Sequence, residues 1–123
     1  MRFEITVTRE FSAAHALRLP GGKCEPIHGH NWRVDVTVAS DMLDAMGTVM
    51  DFHELERLMD DIMTPMHNGN LNELEPFRDE LNPSAENVAL HVGRSLELPG
   101  SVRLLKVAVW ETAGCKAVYR PIS

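Results

Sequence analysis

The sequence has no surplus of basic charge. Its 12 lysines and arginines are outnumbered by 18 aspartates and glutamates, giving a net charge of −6 with the histidines neutral. The acids are spread along the chain and form no tail. Nucleic acid and anionic membrane both require a concentrated basic face, so neither is expected as the main partner. No apolar run approaches the ~20 residues that span a bilayer. The opening stretch, MRFEITVTRE, alternates apolar and polar residues and carries acids, unlike a signal peptide, so a cytoplasmic protein is expected. Cysteine is scarce, with only Cys24 and Cys115, far apart in the chain. Without an export signal, two reduced thiols are a better expectation than one disulfide. Repeats, low-complexity tracts and linkers are also missing.

What is present fits one domain over residues 1–123, with 44% hydrophobic and 24% charged residues. Phe3, Ile5 and Val7 alternate with Glu4, Thr6 and Thr8, the period of a half-buried strand. Trp32, Val34, Val36 and Val38 repeat the pattern with Arg33, Asp35 and Thr37 between them. The breaker-rich stretch from Leu19 to Pro26 reads as a loop. Asp51 and Glu54 make a capping box that predicts a helix with an apolar stripe of Leu55, Leu58, Met59 and Ile62, ended by Pro65. Asn82 as N-cap and Pro83 at the first position predict a second helix, buried through Val88, Ala89, Val92, Leu96 and Leu98. Strand character returns from Val102 to Thr112, and Cys115 to Arg120 can pair back after Gly114. The order predicts an α+β fold, a four-stranded antiparallel sheet with two helices on one face. The other face then needs cover, and a homo-oligomer is its simplest source.

The chemistry-bearing residues are few. His28 and His30 flank a glycine at the start of the second strand, and residues two apart on a strand share a face. His15, at the far end of the first strand, joins them if the two strands pair. Three imidazoles meeting at one point is the protein ligand set of a catalytic zinc site with an open fourth position. Cys24 sits four residues before His28; it is either a small buried hydrophobe or a thiol activated by a nearby cation. Glu111 ends an apolar strand, as a solvated strand end or as an anchor for a ligand with paired N–H donors. His53 and His91 fall within predicted helices and carry no such pattern.

Taken in order, these residues resemble a known family. Phe11-Ser12-Ala13-Ala14-His15, Cys24 with His28-Gly29-His30, Val49-Met50-Asp51-Phe52, Asn82-Pro83-Ser84 with Glu86, and Trp110-Glu111-Thr112 through Tyr119 are similar to the 6-pyruvoyl- and 6-carboxytetrahydropterin synthases. The resemblance covers nearly the whole chain. It implies the tunnelling fold, with trimers closing into a barrel and usually stacking into hexamers. It implies Zn2+ on His15, His28 and His30. It further implies a pterin ring held at Glu111, beside Thr112, and proton abstraction by Cys24. The substrate class it implies is 7,8-dihydroneopterin triphosphate, from which triphosphate is eliminated in a carbon–oxygen lyase reaction. The spacing Cys-x-x-x-His-Gly-His is closer to the 6-carboxytetrahydropterin synthases of deazapurine (queuosine) biosynthesis. The family also carries an Asp-His pair before a Leu-Asn. Here that stretch reads His67-Asn68-Gly69-Asn70-Leu71-Asn72, which puts His67 at the aspartate and Asn68 at the histidine. His67 takes the catalytic place only through an inserted residue. The alternatives are an altered pterin reaction, such as retro-aldol cleavage of the side chain, or pterin binding without catalysis.

Overall fold

The computed structural model describes residues 2–122. Two long strands, β1 (Phe3–His15) and β2 (His28–Ser40), form an antiparallel pair in register from Phe3↔Ser40 to His15↔His28. Two helices follow, α1 (Phe52–Met63) and α2 (Ala85–Ser95), with a two-residue strand β3 (Gly69–Asn70) between them. Strands β4 (Arg103–Thr112) and β5 (Cys115–Tyr119) complete the sheet in the order β3-β1-β2-β4-β5. The predicted four antiparallel strands are all there. The fifth, β3, runs parallel to β1 and is too short to show a period.

Alternation decides which face is buried. Val7, Phe11, Ala13 and His15 of β1 point inward together with Trp32, Val34, Val36 and Val38 of β2. Phe11 and Trp32 sit opposite each other with rings stacked at 5.9 Å. Against this face α1 packs Leu55, Met59 and Met63, and α2 packs Ala85, Val88, Ala89 and Val92. Leu58, Ile62, Leu96 and Leu98 are only partly buried at the rim. Gly93 lets α2 approach β5, since a Cβ there would lie 2.7 Å from the Tyr119 ring. On the opposite face the exposed and partly buried residues of β1 and β2 alternate with the buried ones. Its threonines and acid bond laterally, Thr6 to Thr37 at 2.8 Å and Thr8 to Asp35 at 2.7 Å.

The helix starts differ in how well local chemistry foretold them. Asp51 caps α1 as expected, accepting from the His53 N–H at 2.9 Å, while Glu54 offers its backbone N–H and makes no reciprocal side-chain bond. The cap of α2 is Ser84, which accepts from the Asn87 N–H at 3.1 Å, so the predicted N-cap at Asn82 is corrected by two residues. Asn82 is drawn away because its amide bonds both backbone groups of Arg18.

Candidate metal centre

Pairing β1 with β2 brings the ends of the two strands together. His15 faces His28 directly, and His30 faces Ala13 one step along the same side. The three rings lie 4.7, 5.1 and 4.9 Å apart, nearly edge to face, and one nitrogen of each falls within 4.8 Å of the others. The ring orientations are set from behind. The His15 Nδ1–H donates to the Pro83 carbonyl at 2.6 Å, and the His28 Nδ1–H donates to the Pro26 carbonyl at 2.9 Å. A neutral imidazole that donates through Nδ1 leaves a lone pair on Nε2, the form a metal takes.

Those nitrogens lack protein partners. Among the described residues three buried side-chain polar atoms make no hydrogen bond, and two are His15 Nε2 and His30 Nε2. Leaving a buried polar atom unpaired costs about 1–3 kcal/mol, and two at one point mark a place for a missing partner. Burial holds the His30 pKa below its ordinary value; Glu111 opposes this, while His15 and His28 add to it. An imidazole kept neutral is a ligand and a poor cation. The residues therefore fit a divalent transition metal on three nitrogens.

Two carboxylates flank the cluster. Glu111, at the end of β4, places Oε1 3.9 Å from His15 Nε2 and Oε2 4.0 Å from His30 Nε2. Glu25, in the loop before β2, places Oε1 3.9 Å from His28 Nε2 while accepting the Leu17 N–H at 2.9 Å. Sequence reasoning missed Glu25. Its signal was its position three residues before His28, hidden by the loop's general polarity.

The other expected residues are placed less centrally. Cys24 is an exposed free thiol, paired by an isolated backbone bridge to Arg18, and is not a member of the histidine cluster. Thr112 is exposed at the β4–β5 turn. His67 is also exposed, and its Nδ1 accepts the Ser12 N–H at 3.0 Å. It lines a depression with Glu10, Asp60 and Thr64, outside the histidine cluster. Asn68 takes up a left-handed backbone (φ 60°) and donates its N–H to the Ser12 carbonyl at 2.6 Å. It lines a groove with Ser12, Gly29, His30 and Asn31. Among the basic side chains, Arg18 bonds the Leu81 carbonyl, while Arg33 and Lys116 lie over the Trp110 ring. His53 bonds Glu56 at the surface, and His91 packs edge-on against Phe77.

Comparison with known proteins identifies the family. The family model described as 6-pyruvoyl tetrahydropterin synthase matches residues 4–121. A dihydroneopterin monophosphate aldolase of Pyrococcus furiosus is 32% identical over 113 residues, covering 90% of this chain and 91% of the relative. A 6-carboxy-5,6,7,8-tetrahydropterin synthase of Bacillus subtilis is 32% identical over 133 residues, covering 97% and 86%. The structure of the Caenorhabditis elegans 6-pyruvoyl tetrahydropterin synthase superposes with a TM-score of 0.84 at 25% identity, covering 99% of this chain and 97% of that one. With the tunnelling fold, the three histidines and a match over nearly its whole length, this chain belongs to the 6-pyruvoyl tetrahydropterin synthase family of lyases.

Proposed function

We propose that the chain is a zinc-dependent lyase acting on the side chain of 7,8-dihydroneopterin triphosphate, with 6-carboxytetrahydropterin as product. The observation that carries this reading is the pair of orphaned nitrogens on His15 and His30, aimed with His28 at one point. A divalent ion there would supply Lewis-acid polarisation of the substrate's side-chain hydroxyls. Glu111, at the rim of the same cluster, would accept the paired N–H donors of the pterin ring. Cys24 would remove the carbon-bound proton that precedes loss of triphosphate; water would then cleave the C1′–C2′ bond, leaving the carboxylate at C1′ and releasing C2′ and C3′ as acetaldehyde. The reading includes a cytoplasmic homo-oligomer of single-domain chains, a trimer or hexamer. In its support, β3 and β5 stand at the two edges of the sheet, where strands offer backbone groups to a neighbour.

Two observations favour a second reading, carbon–carbon cleavage. Glu25 places a carboxylate oxygen 3.9 Å from His28 Nε2, and the titrating pair of the family is replaced here by His67-Asn68. In that reaction the Glu25 carboxylate takes the proton of the C2′ hydroxyl, and the C1′–C2′ bond breaks to an aldehyde. The electron pair is delocalised into the ring imine and is finally protonated at C1′ as 6-hydroxymethyl-7,8-dihydropterin. The Pyrococcus furiosus relative is named an aldolase of this kind.

The test is to incubate zinc-replete protein with 7,8-dihydroneopterin triphosphate, and separately the monophosphate, and to identify products by mass. Acetaldehyde with 6-carboxytetrahydropterin supports the first reading, and Cys24→Ala should then abolish turnover. Glycolaldehyde phosphate with the hydroxymethyl pterin supports the second, and Glu25→Gln should abolish it. Substrate that is bound but unchanged would sink both and leave a pterin-binding protein.

A further inference from the structure

Beyond β1 the chain passes through Ala16, Leu17 and Arg18 before the loop that carries Cys24 and Glu25. This is irregular backbone outside the β1 strand, yet all six of its peptide N–H and C=O groups are bonded. The Ala16 N–H donates to Asn72 Oδ1 at 2.8 Å, and the Ala16 carbonyl accepts from Asn72 Nδ2 at 2.7 Å. Two residues on, the Arg18 N–H donates to Asn82 Oδ1 at 2.8 Å, and its carbonyl accepts from Asn82 Nδ2 at 3.0 Å. Between them the Leu17 N–H donates to Glu25 Oε1 at 2.9 Å, and the Leu17 carbonyl accepts the Glu25 N–H at 3.0 Å.

A primary amide offers one donor and one acceptor side by side, as a peptide group of a neighbouring strand would. Each asparagine thus extends the pairing of β1 past its end. Both are themselves held. The Asn72 N–H donates to Asn70 Oδ1 at 3.1 Å, and the Asn82 carbonyl accepts from Asn87 Nδ2, on α2, at 2.9 Å.

What this segment connects gives the pairing its consequence. His15 immediately precedes Ala16, and Pro83, whose carbonyl orients the His15 ring, immediately follows Asn82. Glu25, beside His28 Nε2, is tied to Leu17 in the middle of the segment. We propose that Asn72 and Asn82 are positioning residues whose amides splint Ala16–Arg18 and so hold His15 and Glu25 in place around the metal centre. The inference rests on the metal reading above. Groups that orient a ligand from outside the coordination sphere change metal affinity on removal by about 10–100-fold. Removing an amide that only satisfies backbone groups lowers stability and leaves affinity alone.

The two roles separate in one experiment. Asn72→Ala and Asn82→Ala proteins are stripped of metal, then titrated with Co2+ against a chromophoric chelator. The cobalt d–d spectrum and the apoprotein melting temperature are recorded alongside. Each substitution should raise the Co2+ dissociation constant about tenfold and change the d–d bands. A melting temperature that falls while affinity stays within about twofold and the spectrum is unchanged would overturn the proposal. Wild-type protein that takes up no Co2+ would sink the metal reading itself. Should the alanine variants not fold, amide hydrogen exchange on the wild type remains. Ala16, Leu17 and Arg18 should exchange as slowly as the middle of β1, and loop-like exchange would overturn the splint.

Discussion

The middle and the end of the β1–β2 pair share strands, register and burial, but they treat polar atoms in opposite ways. Trp32 is fully buried, and even its indole N–H is matched, donating to the Ala13 carbonyl at 3.1 Å. His15 is almost as buried, at 1% exposed, and packs edge-on against that same indole at 4.8 Å. Yet its Nε2 has no partner, and neither does His30 Nε2. Phe11, Trp32, Val34 and Val36 complete themselves by packing. The histidine end is complete on one side only, with the Nδ1 atoms of His15 and His28 bonded to carbonyls and the Nε2 atoms of His15 and His30 left open. One part of the pair is built for stability, and the other is built to receive something.

That contrast is open to measurement, beginning with its strongest side. Trp32→Ala should destabilise the chain by about 3–5 kcal/mol in urea denaturation, from lost transfer energy and the cavity left behind. A loss under about 1 kcal/mol would show that the middle is not the rigid half. At the histidine end the expected change is a gain. Zinc at 100 times its dissociation constant should stabilise the chain by about 2.7 kcal/mol. His30→Ala should remove that gain, and a melting temperature indifferent to zinc in the wild type would erase the comparison.

A smaller effect tests the scaffold behind the site. Ser84→Ala should cost about 1 kcal/mol, because it strips the N-cap of α2 next to the carbonyl that orients His15. Equal stability of the variant and the wild type in denaturant would refute the cap.

The smallest effect concerns a histidine outside the cluster. Burial, helped by Arg94, holds the His91 pKa below its usual 6.5. The unfolded chain therefore takes up a proton near pH 6.5 that the folded chain refuses until lower pH. Stability from this group is flat above that value and falls as pH drops through the window down to the folded pKa. Denaturation at pH 7.5, 6 and 5 should show a shallower acid loss for His91→Gln than for wild type. Identical slopes would mean that His91 is not protected by its burial.

The strands and the histidine set were legible because their information is local. Alternation at Phe3–Val7 and Trp32–Val38 fixes which side is buried, and His28-Gly29-His30 fixes two imidazoles on one face. Asp51 announced its helix because a cap bonds residues next to it. Glu25, Asn72 and Asn82 were not legible as parts of the centre. Their meaning lies in contacts with Leu17, Ala16 and Arg18, and for the asparagines those partners are 56 and 64 residues away. Polar residues in loops look alike until the chain closes.

The sequence by itself determined the α+β class, the inward faces of β1 and β2, and the shared face of His28 and His30, since each follows from a period or a spacing; the pairing of β1 with β2 brought His15 to them. The tertiary structure alone decided that Ser84 caps α2, that Asn68 and not His67 lines a groove with His30, and that Glu25 flanks His28. Those choices depend on how distant segments satisfy each other's backbone groups. A buried peptide bond takes whichever partner the fold brings near, and no local pattern records which one that is.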